Sequence, residues 1–175
     1  RKIALQGDSY LYGGELGKHI VETVNSRIGD QHEKLSLEDF KNYRVKQRDI
    51  IESDYRGNKI VSFGYPASGG VMVAQSLELL ESYDIAQMEE TDVEPWRLMT
   101  EAMRIAKADR IAYAGDPDYV ETPINELLSK EYLDERRMLI PDYGVAKDNP
   151  KAGQVTQTQF AVPYPHLTLP TRRAI

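Results

Sequence analysis

Cysteine is absent from all 175 residues, which excludes disulfides, thiolate nucleophiles and cysteine-ligated zinc. Histidine is scarce and dispersed, at His19, His32 and His166. No His-x-x-x-His pair or acidic cluster marks a metal site, so no metal and no cofactor are expected. No Gly-x-Ser-x-Gly elbow is present. No apolar run approaches the roughly 18 residues needed to cross a bilayer, and no membrane segment is expected. Basic charge is in the minority: 22 Lys and Arg stand against 28 Asp and Glu, a net charge of -6. Arg136-Arg137 and Arg172-Arg173 are no more than pairs, and phosphate binding needs a clustered basic surface, so nucleic acid is not an expected partner. Position 1 is Arg, and the sequence is silent about targeting.

What is present is ordinary globular material, 41% hydrophobic and 29% charged, enough for one domain with a core. Leu16, Ile20 and Val24 recur at helical spacing between Gly13-Gly14 and Gly29-Asp30, predicting a helix over 15–28. Ser36 is the N-cap of a short helix with acids in its first turn. Strand residues 45–53 and 59–63 flank Arg56-Gly57-Asn58, a hairpin. After Pro66, Ser68-Gly69-Gly70 lead into a helix with Val73, Leu77 and Leu80 on its inner stripe and Gln75, Glu78 and Ser82 opposite. Asp92 caps the longest helix, which runs to about Tyr113. Its expected core face is Trp96, Met99, Met103 and Ala106; its expected wet face is Arg97, Glu101 and Arg104. Thr122-Pro123 starts another short helix, and Ser129 caps one more through 139. From 141 onward Pro and Gly punctuate a stretch without period, predicting an extended linker or tail over 141–175 that does not pack on the core. The last residues, from about His166, fit no element and read as non-native.

Short motifs in a fixed order cover about Gly7 to Ile140: Tyr12-Gly13-Gly14-Glu15-Leu16, Leu37-Glu38-Asp39-Phe40 with Tyr43-Arg44-Val45, Tyr55-Arg56-Gly57, Tyr65-Pro66-Ala67-Ser68-Gly69-Gly70, the stretch 109–120 with Gly115-Asp116-Pro117-Asp118, and Leu127-Leu128-Ser129-Lys130-Glu131-Tyr132. Together they resemble the gamma-glutamyltransferase family. The resemblance implies an α+β class: a mostly helical segment with one β-hairpin, residues 1–140, forming part of an N-terminal-nucleophile hydrolase αββα sandwich. It implies a precursor that cuts itself, an N-terminal Thr that attacks a gamma-glutamyl bond, and transfer of the acyl group to water, an amino acid or a peptide. It implies a small-molecule gamma-glutamyl substrate such as glutathione, a missing small subunit as partner, and a periplasmic or extracellular location.

The family's Thr-Thr-His is not found: Thr156-Gln157-Thr158 lacks the His, His166-Leu167-Thr168 has the wrong order, and Thr171 precedes Arg172. No catalytic residue is therefore assigned, and the chain reads as the C-terminal part of the large subunit, inactive alone. Relatives acting on another acyl donor, poly-gamma-glutamate or an acylase substrate, remain an alternative, as does a non-catalytic helical interaction module.

Two groups of residues invite a functional reading. Ser68, Gly69 and Gly70 at a helix start are candidates for an anion or substrate site, because free N–H groups point outward there; the competing reading is a tightly packed turn with φ > 0. Arg110 falls on the expected apolar side of the long helix with Asp109 on its flank. A buried Arg needs a partner. Either it clamps a substrate carboxylate, or it joins Asp109, Asp116 and Asp118 in a structural ion pair that fixes the helix end, which the sequence favours.

Overall fold

The computed structural model describes residues 1–156. By its internal contacts the chain divides into two units, Arg1–Gln47 and Arg48–Ile175, a boundary well before the 140/141 division expected from composition.

The first unit contains α1 (Lys2–Gln6), α2 (Glu15–Asn25) and α3 (Leu37–Asn42), with a 3-10 turn at Gly7–Tyr10. Gly17 is its one buried residue, so polar and aromatic contacts hold it instead of an apolar core. The Asn25 amide spans the loop after α2, donating to the Leu35 carbonyl at 2.7 Å and accepting from the Leu35 N–H at 2.9 Å. Ser36 caps α3 as expected, and Asp39 reciprocates by accepting from the Ser36 N–H at 2.7 Å, a capping box. That bond, followed by one from the Ser36 hydroxyl to the same oxygen at 2.8 Å, holds the Asp39 carboxyl below its ordinary range. Tyr12 and Tyr43 stack with centroids 5.5 Å apart.

The second unit holds the hairpin β1 (Ile50–Tyr55) and β2 (Asn58–Phe63), then α4 (Gly69–Leu80), α5 (Val93–Tyr113), α6 (Ile124–Leu127) and α7 (Lys130–Arg137). The strands pair antiparallel from Ile50 opposite Phe63 to Tyr55 opposite Asn58. Both turn residues have positive φ, Arg56 at 53° and Gly57 at 75°, the two-residue turn whose twist matches the flanking strands. Helix α4 lies between hairpin and α5 and touches both strands, α5 and α7. Two apolar clusters result. Leu79, Leu80, Leu98, Ala102, Ile105, Leu133 and Ile140 join α4, α5 and α7. Ile51, Tyr65, Val71 and Ala74 join α4 to the hairpin.

The rotation of the two long helices differs from the sequence expectation. On α5 the buried stripe is Leu98, Ala102, Ile105, Ala106 and Asp109, with Arg97 and Glu101 also buried. Trp96 and Met103, assigned to the core face, are 60% and 53% exposed. Hydropathy ranks Trp and Met above Ala, but the two Ala residues leave room for α4 to approach closely, and the buried charges are paired. Arg97 binds Glu94, and Glu101 accepts from Arg104 at 2.8 Å. On α4, Gln75 is buried and Val73 is exposed, the reverse of their assignment, while Leu80 is buried and Ser82 exposed as expected.

Residues 141–156 are also not the unpacked tail that Pro and Gly content predicts. They carry no regular structure but lie on α5 and α7, with Gly153 buried. The Arg97 guanidinium donates to the carbonyls of Pro141 and Gly144 at 2.8 and 3.0 Å. Side-chain donors and acceptors thus replace the missing backbone ladder. The residues from about His166 lie outside the described residues.

The rotation of α5 is testable by paired truncation. Leu98→Ala should cost about 2–5 kcal/mol in denaturant unfolding of this chain, whereas Met103→Ala should stay within about 0.5 kcal/mol. Equal costs would mean the helix is turned as hydropathy alone suggests.

Candidate functional site

Asp109 sits two turns beyond Ala102 and one beyond Ile105 on the same buried stripe of α5, and is wholly buried. A carboxylate there requires a complete set of partners. Arg136 of α7 approaches Asp109 Oδ1 to 3.1 Å, with only 6% of its side chain exposed. Gln75 of α4 donates to Asp109 Oδ2 at 3.1 Å and to the Leu127 carbonyl at 3.2 Å. The Gly153 N–H donates to Asp109 Oδ1 at 3.0 Å. Helices α4, α5 and α7 and the 141–156 segment therefore meet at one charge. The Arg136 guanidinium also lies over the Tyr132 ring, 5.9 Å from its centroid. Burial, then the Asp109 charge, raises the Tyr132 and Tyr113 hydroxyls above the ordinary tyrosine range and keeps them neutral.

The sequence-derived ion pair is corrected in its membership. Asp109 belongs to a buried pair, but with Arg136 and not Arg110. Arg110 is exposed, because the true rotation of α5 turns it outward, and its Nε donates to Ser68 Oγ at 2.7 Å. Asp116 and Asp118 are held by Arg48, at 3.1 and 2.7 Å. That bond to Asp118, followed by the charges of both acids, raises the Arg48 guanidinium further. The Asp116 carboxylate also accepts from the Asp118 N–H at 3.0 Å, closing the turn after α5. The helix end is thus fixed from the residue two positions before β1, across 68 to 70 residues of sequence.

Ser68, Gly69 and Gly70 stand at the start of α4. Ser68 is helical, and its side chain makes no cap bond. Neither glycine has positive φ. A Cβ on Gly70 would lie 2.3 Å from the Phe63 carbonyl oxygen, so Gly70 lets α4 pack directly on β2. The packing half of the turn reading accounts for Gly70, while Gly69 faces open space. Among the described residues no group of three or more His, Cys, Asp or Glu could hold a metal, and no helix is long and apolar enough to cross a membrane.

The gamma-glutamyltranspeptidase family model matches residues 1–168. The chain belongs to the gamma-glutamyltranspeptidase family. Acylase ACY 1 proenzyme of Pseudomonas sp. (strain V22) is 39% identical over 138 residues, 79% of this chain and 24% of that protein. Glutathione hydrolase proenzyme of Bacillus subtilis subsp. natto is 35% identical over 151 residues, 86% and 25%. In three dimensions the chain is similar to Helicobacter pylori gamma-glutamyltranspeptidase, with a TM-score of 0.74 and 30% identity, covering 91% of this chain and 45% of that one. The chain spans about a quarter of the length of the curated relatives it matches. Among the described residues it is α+β, helices with one hairpin, and it has the architecture of part of the family's N-terminal-nucleophile hydrolase fold.

Gln75, Arg136, Arg48 and Gly153 escaped the sequence reading. One signal was available: Leu98, Ala102, Ile105 and Asp109 follow 4-3-4 spacing, which puts a carboxylate on an apolar stripe. Its partners come from elements whose proximity no spacing announces.

Removing the Asp109 charge by Asp109→Asn leaves Arg136 buried without its counter-ion and should cost about 3–5 kcal/mol. Arg110→Ala, on the exposed face, should cost no more than about 1 kcal/mol. Denaturant midpoints of the two variants decide between Arg136 and Arg110 as the structural partner. A second measurement uses Tyr65, 2% exposed, whose hydroxyl is raised to about 12, first by burial and then by Asp109, against the opposing charge of Arg110. The native state holds this proton where the unfolded chain has released it, so the stability due to Tyr65 is intact below pH 10 and declines from there through pH 12. Tyr65→Phe should flatten that alkaline decline in pH-dependent unfolding.

Proposed function

We propose that this chain is the C-terminal part of the large subunit of a self-cleaving proenzyme that breaks gamma-glutamyl bonds, as in glutathione, and passes the glutamyl group to water, an amino acid or a peptide. Family membership across residues 1–168 carries this reading. Relatives named glutathione hydrolase proenzymes, in several bacteria, support the substrate class. The reaction runs through an N-terminal Thr whose own amine serves as base and whose hydroxyl attacks the gamma-carbonyl. Backbone donors stabilise the oxyanion. A small subunit is the partner, and it supplies the nucleophile.

The described residues of this chain build the scaffold beside that site. Asp109, Arg136 and Gln75 tie its helices together, and none of the charged groups described serves as nucleophile or base. Thr156 spends its N–H and hydroxyl on the Glu126 carboxylate, at 2.6 and 2.9 Å. Thr158, Thr168 and Thr171 lie outside the described residues. Ser68 and Gly69 keep a secondary role as a substrate-side surface, since Gly69 is open and Arg110 is adjacent to Ser68.

A second reading has its own support: the acylase relative is 39% identical, against 35% for the Bacillus subtilis glutathione hydrolase. The same scaffold would then serve a different acyl donor.

A chromogenic gamma-glutamyl anilide separates these readings. This chain alone should give no turnover above a heat-treated control. The full-length proenzyme should turn it over faster than an acyl anilide lacking the alpha-amino group. The reverse preference would establish the acylase reading, and turnover by this chain alone would overturn its scaffold role.

A further inference from the structure

The segment 141–156 is held in an unusual way. It has no strand or helix of its own, yet charged side chains grip its backbone along its whole length. Arg97 takes the carbonyls of Pro141 and Gly144. Glu101, 1% exposed, accepts the Ala146 N–H at 3.1 Å. Arg104 donates to the carbonyls of Ala146 and Asp148 at 3.3 and 2.9 Å. Arg136 donates to the Lys151 carbonyl at 2.7 Å. Asp109 accepts the Gly153 N–H, and the Tyr113 hydroxyl donates to the Gly153 carbonyl. Glu126 takes Thr156 at the far end.

Five of these residues lie on one helix at 97, 101, 104, 109 and 113, a ladder along α5. Bonds to backbone groups ignore the identity of the side chains, so they set where the segment lies without reading its sequence. One position does demand a particular residue. A Cβ on Gly153 would lie 2.5 Å from Tyr132 Oη and 2.7 Å from Cε2. The Tyr132 ring is rigid, buried and covered by Arg136, so a Cβ at 153 would push on a packed aromatic ring. Gly153 therefore fixes the register: only when it stands over Tyr132 does its N–H reach Asp109.

Resting on the proenzyme reading above, we propose that residues 141–156 are a latch, docked in one register by the α5 ladder and by Gly153 over Tyr132, and that this register positions the residues that follow it for self-cleavage. Asp109, Glu101 and Arg136 are positioning residues for maturation. In self-cleavage a threonine hydroxyl adds to the carbonyl of the peptide bond before it. The C–N bond breaks, an ester forms, and the released amine takes up the hydroxyl proton. Water then splits the ester into a new carboxyl terminus and the restored hydroxyl. The first step needs attacking and attacked atoms within about 3–3.5 Å, which a chain free to slide by one residue does not maintain.

The test uses the full-length proenzyme and two variants. Gly153→Ala blocks the register at the latch itself. Val145→Ala/Lys147→Ala/Gln154→Ala alters only side chains exposed or half-exposed to solvent. Hydrogen exchange at the Ala146 and Gly153 amides reports docking, exchange in α4 and α5 reports the fold, and the appearance of two subunits on a denaturing gel reports cleavage. Gly153→Ala should speed exchange at Ala146 and at position 153 at least about 10-fold, leave α4 and α5 protected, and slow cleavage at least about 10-fold. The triple variant should dock and cleave like the parent. The proposal falls if Gly153→Ala frees the latch without slowing cleavage, if it leaves the latch docked, or if the triple variant is slowed equally. Should Gly153→Ala also expose α4 and α5, Arg136→Lys, which keeps the charge but shortens the side chain whose Nη2 meets both Asp109 and the Lys151 carbonyl, is judged by the same outcomes. A parent that never cuts itself defeats the proenzyme reading, whereas a parent that matures beside an equally fast, undocked Gly153→Ala variant defeats the latch alone.

Discussion

A carboxylate with no access to water organises the second unit. Taking Asp109 out of solvent is costly unless its oxygens are fully bonded, and its partners come from far apart in sequence: Gln75, Arg136 and Gly153 lie 34, 27 and 44 residues away. Each is itself constrained. Gln75 also holds the Leu127 carbonyl before α7, Arg136 also holds Lys151, and Gly153 also receives the Tyr113 hydroxyl. Apolar burial brings α4, α5 and α7 together, but Leu and Ala contacts tolerate sliding. The Asp109 cluster does not, because every bond in it has a direction and a length.

The same logic repeats along α5 in weaker form. Glu101 is buried and bonded to Arg104 and to Ala146, while Arg97 combines a pair with Glu94 and two carbonyls of the segment after α7. An irregular segment can lie against a helix only where its N–H and C=O groups find partners, and α5 supplies them from side chains. Charge on the inner side of this helix is thus a substitute for a neighbouring strand. The hairpin uses the opposite device: Arg48 at its base reaches out to Asp116 and Asp118 and ties down the loop after α5.

The chain spans about a quarter of the length of its curated relatives, and its described residues supply packed helices, a hairpin and side chains that grip the backbone of 141–156. Exposed Trp96, Met99 and Met103 on α5 contrast with Glu101 and Asp109, buried on its other side beside Leu98 and Ile105.

Local chemistry was determined by the sequence itself. The Ser36 cap, the Arg56-Gly57 turn, the start of α4 after Pro66 and the Ser129 cap of α7 each depend on a few neighbouring residues, and each stands where those residues place it. The ordered motifs likewise carried the family, because such resemblance is a property of the linear chain. Only the tertiary structure decided which way the long helices face and where the charges go. Hydropathy put Trp96 inside and Glu101 outside; packing reversed both, since two helices in close approach need small residues between them and a buried acid is tolerated once its partners arrive. Those partners belong to segments that become neighbours only on folding. For the same reason, the Pro- and Gly-rich stretch after Ile140 looked like a tail: the bonds that hold it are written in α5, α6 and α7, and not in its own residues.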